Sequence, residues 1–95
     1  MNEISIDKII KNINSINLID IRSIESFNNN HIPGAKNIPM ESLLISPNMY
    51  LKKDERYYIY CQKGISSKKI CNILKNLGYD VYSIIGGYES WILEK

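Results

Sequence analysis

A cysteine closes the apolar run Tyr57-Tyr58-Ile59-Tyr60 and opens a short polar segment, Cys61-Gln62-Lys63-Gly64-Ile65-Ser66-Ser67, that leads at once into an amphipathic helix. A loop entering a helix N-terminus aims several unpaired backbone N–H groups at one small volume, and the positive end of the helix dipole adds to their field. A free thiol is only a few per cent ionised at neutral pH, whereas a thiol in such a cradle is largely ionised, and the thiolate is the form that attacks. The chemistry expected of this chain is therefore nucleophilic and centred on Cys61.

The elements that would hold Cys61 follow from the apolar pattern. Ser5 is a candidate cap for a helix through Ile6, Ile9, Ile10 and Ile13, whose spacing puts the isoleucines on one face. Asn17 to Ile21 reads as a short buried strand, and Ser23 starts a short helix through Phe27. Pro33-Gly34 suits the centre of a type II turn, followed by an extended piece at Lys36 to Ile38. Met40 to Leu44 gives one or two helical turns and Ile45 to Glu55 a loop. Tyr57 to Tyr60 is a second strand, rich in β-formers. The helix after Cys61 has Ile70, Ile73, Leu74 and Leu77 as its expected apolar stripe, with Gly78 as its C-cap. Val81 to Ile85 is another strand, Gly86-Gly87 a turn and Tyr88 to Leu93 a closing helix. Strands alternating with helices at this spacing call for an α/β fold with a mostly parallel sheet and helices on both faces. Ligands of such sheets bind beyond the carboxyl ends of the strands, where Cys61 and Asp20 both fall.

Composition narrows the function. Ninety-five residues, 44% apolar and 23% charged, make one ordinary folded domain over residues 1–95. The net charge of +2 is small, and the lysines and arginines are scattered rather than gathered into a stripe with aromatics, which argues against nucleic acid as a direct ligand. No apolar run nears the roughly 20 residues that cross a bilayer. The opening residues, Met1 to Asp7, lack the charged and apolar regions of a secretion signal, so a cytoplasmic protein without membrane contact is expected. In that reducing compartment Cys61 and Cys71 are expected as free thiols, with Cys71 filling core beside the helix stripe.

Along nearly the whole chain, residues 5 to 93, the sequence resembles the single-domain rhodaneses, a family of sulfurtransferases. The resemblance rests on an ordered set: Leu18-Ile19-Asp20-Ile21-Arg22, Glu25, His31-Ile32-Pro33-Gly34-Ala35-Lys36-Asn37-Ile38-Pro39, Tyr60-Cys61-Gln62-Lys63-Gly64 and Gly86-Gly87-Tyr88-Glu89-Ser90-Trp91. It implies a central parallel five-stranded sheet flanked by helices. It implies Cys61 as the nucleophile and Gln62, Lys63, Gly64, Ile65 and Ser66 as the loop that encircles its sulfur. The implied reaction is double displacement. Cys61 takes sulfur from a small donor such as thiosulfate or a persulfide, holds it as a cysteine persulfide, and passes it to a thiol or a protein acceptor, with no cofactor and no metal. Many members carry Arg where this chain has Ser66, so Lys63 is the remaining loop cation.

Two other readings use the same residues. A rhodanese fold can serve as a catalytically weak binding or regulatory module, which the absence of the loop Arg favours and the intact Cys61 opposes. Cysteine phosphatases and arsenate reductases are further removed, because the related phosphatases need a longer loop and an Arg at the sixth position after the cysteine to grip a dianion, and position 67 is Ser. Ser67, Asp20 and Arg22 are supporting candidates, with Asp20 expected to bond loop backbone and Arg22 to pair with Glu25 at helix spacing. His31 is expected at a turn or helix end, since a thiolate ionised by its loop requires no base.

Overall fold

In the computed structural model, which describes residues 2–94, the strands β1 (Glu3–Ile4), β2 (Asn17–Asp20), β3 (Lys36–Asn37), β4 (Arg56–Tyr60) and β5 (Asp80–Ile84) form one sheet in the order β1-β5-β4-β2-β3. Every neighbouring pair is parallel. The helices are α1 (Ile24–Asn29), α2 (Met40–Ile45), α3 (Ile65–Asn76) and α4 (Gly87–Glu94).

Strand alternation sends side chains to two cores. Tyr57 and Ile59 of β4 join Ile19, Val81 and the α3 residues Ile70, Cys71 and Leu74 on one face. Tyr60, Leu18 and Ile84 meet Ile6, Ile9, Ile32 and Tyr88 on the other. Burial on both faces is why these strands read as continuous apolar runs. After β2 the chain turns towards β3, and after β4 it turns the opposite way towards β5, so the crevice between the carboxyl ends of β2 and β4 is the topological switch point. Asp20 ends β2 and Cys61 follows β4, so both lie at that crevice.

Several local expectations change. The N-terminal segment is two 3-10 stretches, Ile6–Lys8 and Ile10–Ser15, and not one helix; Ser5 makes no side-chain cap, and Asn12 has non-helical φ/ψ of −111° and 18°. β-Branched isoleucines with interspersed asparagines are weak helix formers, and burying Ile6 and Ile9 on the sheet outweighs helical continuity. The expected loop over Ile45 to Glu55 contains a 3-10 turn at Pro47–Met49. β1, two residues long, has no counterpart in the sequence reading. On α3, Ile73 and Leu77 are half exposed, and the buried line runs Ser67, Ile70, Cys71, Leu74. The helix does close at Gly78 in a Schellman motif, where the Tyr79 N–H donates to Leu74 O at 3.0 Å and the Gly78 N–H to Lys75 O at 2.9 Å. Ser23 caps α1, its Oγ accepting from the Ser26 N–H at 3.2 Å.

Candidate active site

Cys61 is 7% exposed, and the atoms around its sulfur are polar. Sγ accepts the Gly64 N–H at 3.1 Å and the Ser67 N–H at 3.3 Å, and the Ser67 hydroxyl lies 3.4 Å away. The N-cap residue of α3 is Gly64, which has no side chain with which to satisfy the first turn, so Ser67 is the third helical residue. A capping oxygen would ordinarily accept from that N–H. Here the cysteine sulfur takes the capping oxygen's place, and a negative charge on it is favoured by the N-terminal end of the helix.

The loop is turned towards its own sulfur by what binds its other side. The N–H groups of Tyr88 and Glu89, in the first turn of α4, donate to the carbonyls of Cys61 at 2.8 Å and Gln62 at 3.1 Å. With those carbonyls held outward, the following amides face inward. Gly87, at φ +58°, makes this contact possible: a Cβ there would collide with the Cys61 carbonyl oxygen and reach within 2.9 Å of Gln62. Gly64, at φ +90°, provides the sharp entry to α3, and a Cβ on it would stand 2.8 Å from the Gly86 nitrogen.

Burial pushes the Cys61 thiol up, but the Ser67 hydroxyl, the Ser67 N–H, the Gly64 N–H and the Lys63 N–H act together against it and leave it below the ordinary thiol value. Behind Ser67 stands Ser83 of β5, its Oγ 2.7 Å from Ser67 Oγ, with both residues fully buried. With Cys61 ionised, Ser83 can donate to Ser67 and Ser67 to the sulfur, an arrangement that supports the charged form. Cys71 contrasts with this: it is fully buried among hydrocarbon, and burial, with the nearby Cys61 charge acting in the same direction, pushes it up to about 12. Both cysteines are free thiols.

Gln62, Lys63, Ile65 and Ser66 join Cys61 in lining a pocket of about 310 Å³. Gly64 is outside that lining and serves as an amide donor to the sulfur. Asp20 and Arg22 are beside the loop but outside that lining. The Asp20 carboxylate accepts the Arg22 N–H at 2.8 Å and both Arg22 Nε and Nη2, the closest contact being 2.8 Å. The expected pair of Arg22 with Glu25 does not form. Asp20 is fully buried at the strand end, and its desolvated charge holds the guanidinium more firmly than an exposed glutamate would. The same guanidinium donates to Gln62 Oε1 at 3.0 Å and lies 4.3 Å from the Tyr88 ring, joining β2, the Cys61 loop and α4. His31 is a helix-end group as expected: Nδ1 is 2.8 Å from Phe27 O and the ring stacks on Phe27.

The sequence reading missed Ser83, and it placed Gly87 in a turn and Asn37 in a motif without assigning either a contact at the site. The Asn37 amide donates to the carbonyls of Asp20 at 2.9 Å and Arg22 at 3.1 Å, fixing the β2 end of the crevice. For Ser83 a signal existed, since it is a polar residue at an inward position of an otherwise apolar strand. Among the described residues no group of three or more His, Cys, Asp and Glu side chains is placed to hold a metal, and no helix is long and apolar enough to cross a membrane.

A parallel five-stranded α/β sheet with a cysteine loop cradled at its switch point is the architecture of rhodanese domains, and comparison with known proteins agrees. The model of the rhodanese-like domain family matches residues 5–94, and the chain belongs to that family. The chain is 38% identical over 78 residues to the thiosulfate sulfurtransferase GlpE of Shewanella oneidensis, covering 81% of this chain and 76% of that protein. It is 35% identical over 75 residues to the uncharacterized protein YqhL of Bacillus subtilis, covering 78% of this chain but only 59% of that protein's length. A rhodanese-related protein from Thermoplasma volcanium superposes with a TM-score of 0.90 at 26% identity, covering 99% of this chain and 93% of that one. The family and the GlpE relative support sulfurtransferase activity in general terms.

Proposed function

We propose that this protein moves sulfane sulfur through a persulfide on Cys61. The reading is carried by one observation: the Cys61 sulfur accepts two backbone N–H groups and faces a serine hydroxyl at the mouth of a small pocket. The thiolate electron pair attacks the outer sulfur of a donor such as thiosulfate. The new S–S bond forms as the donor's S–S bond breaks, and sulfite leaves with the bonding pair. The outer sulfur of the persulfide is an anion in the pocket beneath the first turn of α3, where N–H groups lack intrahelical partners and stabilise it without reorganising. An acceptor thiolate, having given its proton to solvent, then attacks that outer sulfur. Cys61 departs as the same stabilised thiolate, and a low thiol pKa makes it a good leaving group.

Gln62, Lys63, Gly64, Ile65 and Ser66 form the binding loop in this reading, and Ser67 is a donor to the sulfur. Asp20 and Arg22 act as positioning residues through Gln62 and Tyr88. No cofactor or metal takes part, and a reducing compartment such as the cytoplasm keeps Cys61 free to react. The test is to incubate the protein with thiosulfate, and in parallel with glutathione persulfide, and follow the intact mass. One added sulfur is expected, lost on adding cyanide and absent in Cys61→Ser. No adduct from either donor would refute the reading and leave a binding module of the same fold.

A further inference from the structure

A second groove, of about 520 Å³, adjoins the Cys61 pocket and shares Lys63 and Ile65 with it. Its walls bring together Lys63, Lys68 and Lys69 with a single acid, Glu3, and two isoleucines, Ile65 and Ile85, that are 63% and 50% exposed. Lys68 and Glu3 approach to 3.8 Å, a loose surface pair, and neither Lys63 nor Lys69 is in an ion pair among the described residues. Lys68 and Lys69 stand in the N-terminal part of α3, where a cation opposes the helix dipole, so their charge does not serve the helix. At Gln62 the balance is acidic instead: Glu89 is hydrogen-bonded to it at 3.4 Å, and the Arg22 guanidinium on the same side chain at 3.0 Å is matched by its ion pair with Asp20.

A small dianion would be attracted by the lysines but has no use for two exposed isoleucines or for a groove larger than the sulfur pocket itself. An extended polypeptide uses all three. Resting on the sulfurtransferase reading, we propose that the sulfur acceptor is a cysteine on a protein segment that is acidic and apolar. That segment lies along the lysine groove, with apolar side chains over Ile65 and Ile85 and its cysteine over Cys61. Glu89 fixes the direction, since acidic residues are repelled on its side of the cysteine and drawn to the other. The transfer is balanced. The acceptor thiol loses its proton to solvent, its thiolate bonds the outer sulfur of the Cys61 persulfide, and the Cys61 thiolate leaves with the pair of the broken S–S bond.

The experiment uses the whole protein and three synthetic cysteine peptides of equal length: acidic-apolar, neutral and basic. Discharge of the loaded protein is followed as loss of one sulfur from its intact mass. Binding of the serine analogues of the same peptides to Cys61→Ser is followed separately by fluorescence anisotropy. At low ionic strength the acidic peptide is expected to discharge the persulfide on the order of tenfold faster than the basic one and to bind more tightly, with the advantage fading in high salt. The double substitution Lys68→Gln and Lys69→Gln is expected to abolish that preference, leaving discharge to the uncharged thiol 2-mercaptoethanol unchanged. Equal rates and equal binding for the three peptides would overturn the proposal, as would a preference that survives in the double variant. Tighter binding of a single-stranded RNA than of the acidic peptide would also overturn it. If the protein never loads sulfur yet Cys61→Ser still selects the acidic peptide in a lysine-dependent way, the transfer reading fails and the groove's selectivity stands.

Discussion

Ser67→Ala removes one hydroxyl and leaves every backbone amide of the loop in place, so it isolates the side-chain share of the thiolate's stabilisation. Burial still pushes the Cys61 thiol up in the variant, while the first-ranked of the influences that oppose burial is gone. A hydrogen bond to an ionised acceptor contributes about 1.5–3 kcal/mol. Ser67 Oγ is 3.4 Å from a large, diffuse sulfur, which places the loss of thiolate stabilisation at the lower end, about 1.5 kcal/mol, and moves the thiol upwards. The rate of iodoacetamide alkylation between about pH 5 and pH 10, with intact mass confirming a single site, gives the midpoint directly. At neutral pH the variant is expected to alkylate several-fold more slowly.

The same substitution leaves the buried Ser83 hydroxyl without its partner at 2.7 Å, which costs about 1–3 kcal/mol of stability. Adding Ser83→Ala to Ser67→Ala removes both partners and is expected to recover most of that loss while the thiol midpoint stays high. Ser83→Ala alone keeps the hydroxyl on the sulfur but loses the donor that orients it, and is expected to raise the midpoint by less. An alkylation midpoint in Ser67→Ala equal to that of the parent protein would refute the reasoning, because the backbone amides alone would then hold the charge.

Arg22→Met strands the buried Asp20 carboxylate and is expected to cost about 3–5 kcal/mol in urea denaturation, well beyond the effect of an ordinary surface substitution. Gly87→Ala forces a side chain into φ +58° and against the Cys61 carbonyl, so a loss of about 1–3 kcal/mol from the backbone conformation alone and a slower alkylation of Cys61 at neutral pH are expected. Cys71 contributes to the alkaline loss of stability. Its folded-state value of about 12 lies above that of the unfolded thiol, so between the two the native state keeps a proton that the unfolded state releases. The Cys71 share of stability should fall as pH rises through that window by about 1.4 kcal/mol per unit, so Cys71→Ala is expected to flatten the slope in urea titrations at stepped pH, leaving the part due to the buried Tyr60 hydroxyl, whose titration burial also pushes up. The Cys61 contribution has the opposite sign, being present above the ordinary thiol range and lost as pH falls through its lowered value.

How much of this was legible in the sequence depended on how many residues carried each signal. β4 and β5 announced themselves because each is a run of β-forming residues that buries side chains on both faces, Tyr57, Ile59 and Tyr60 in one and Val81, Ser83 and Ile84 in the other. β1 is two residues long and is defined by its pairing with Ser83 and Ile84, a relation with no local trace. On α3 the apolar residues Ile70, Ile73, Leu74 and Leu77 fit a helical stripe. Ser67, Ile70, Cys71 and Leu74 fit one equally well, at positions i, i+3, i+4 and i+7. Only the second line packs on the sheet, and its leading member looks polar because the serine is there to reach the sulfur and Ser83. The placement of Cys61 between a strand end and a helix N-terminus was readable from an apolar run leading into a glycine-containing loop and a helical stripe. The α4 amides that hold the loop carbonyls outward were not, since they come from Tyr88 and Glu89, more than twenty residues downstream of Cys61.

Those amides explain how one short loop serves stability and reactivity together. A helix whose N-cap is glycine has an unmet need for an acceptor in its first turn, and α3 meets it with the Cys61 sulfur. The sulfur is a better acceptor as a thiolate than as a thiol, so the interaction that completes the helix also favours the charged form of Cys61. Under the proposed sulfur-transfer reading, position 67 favours a sulfur atom over a phosphate dianion. Its side chain points back at Cys61 and is anchored on Ser83, so the loop spends that position on stabilising the cysteine itself, where a dianion site would need a guanidinium for two bound oxygens.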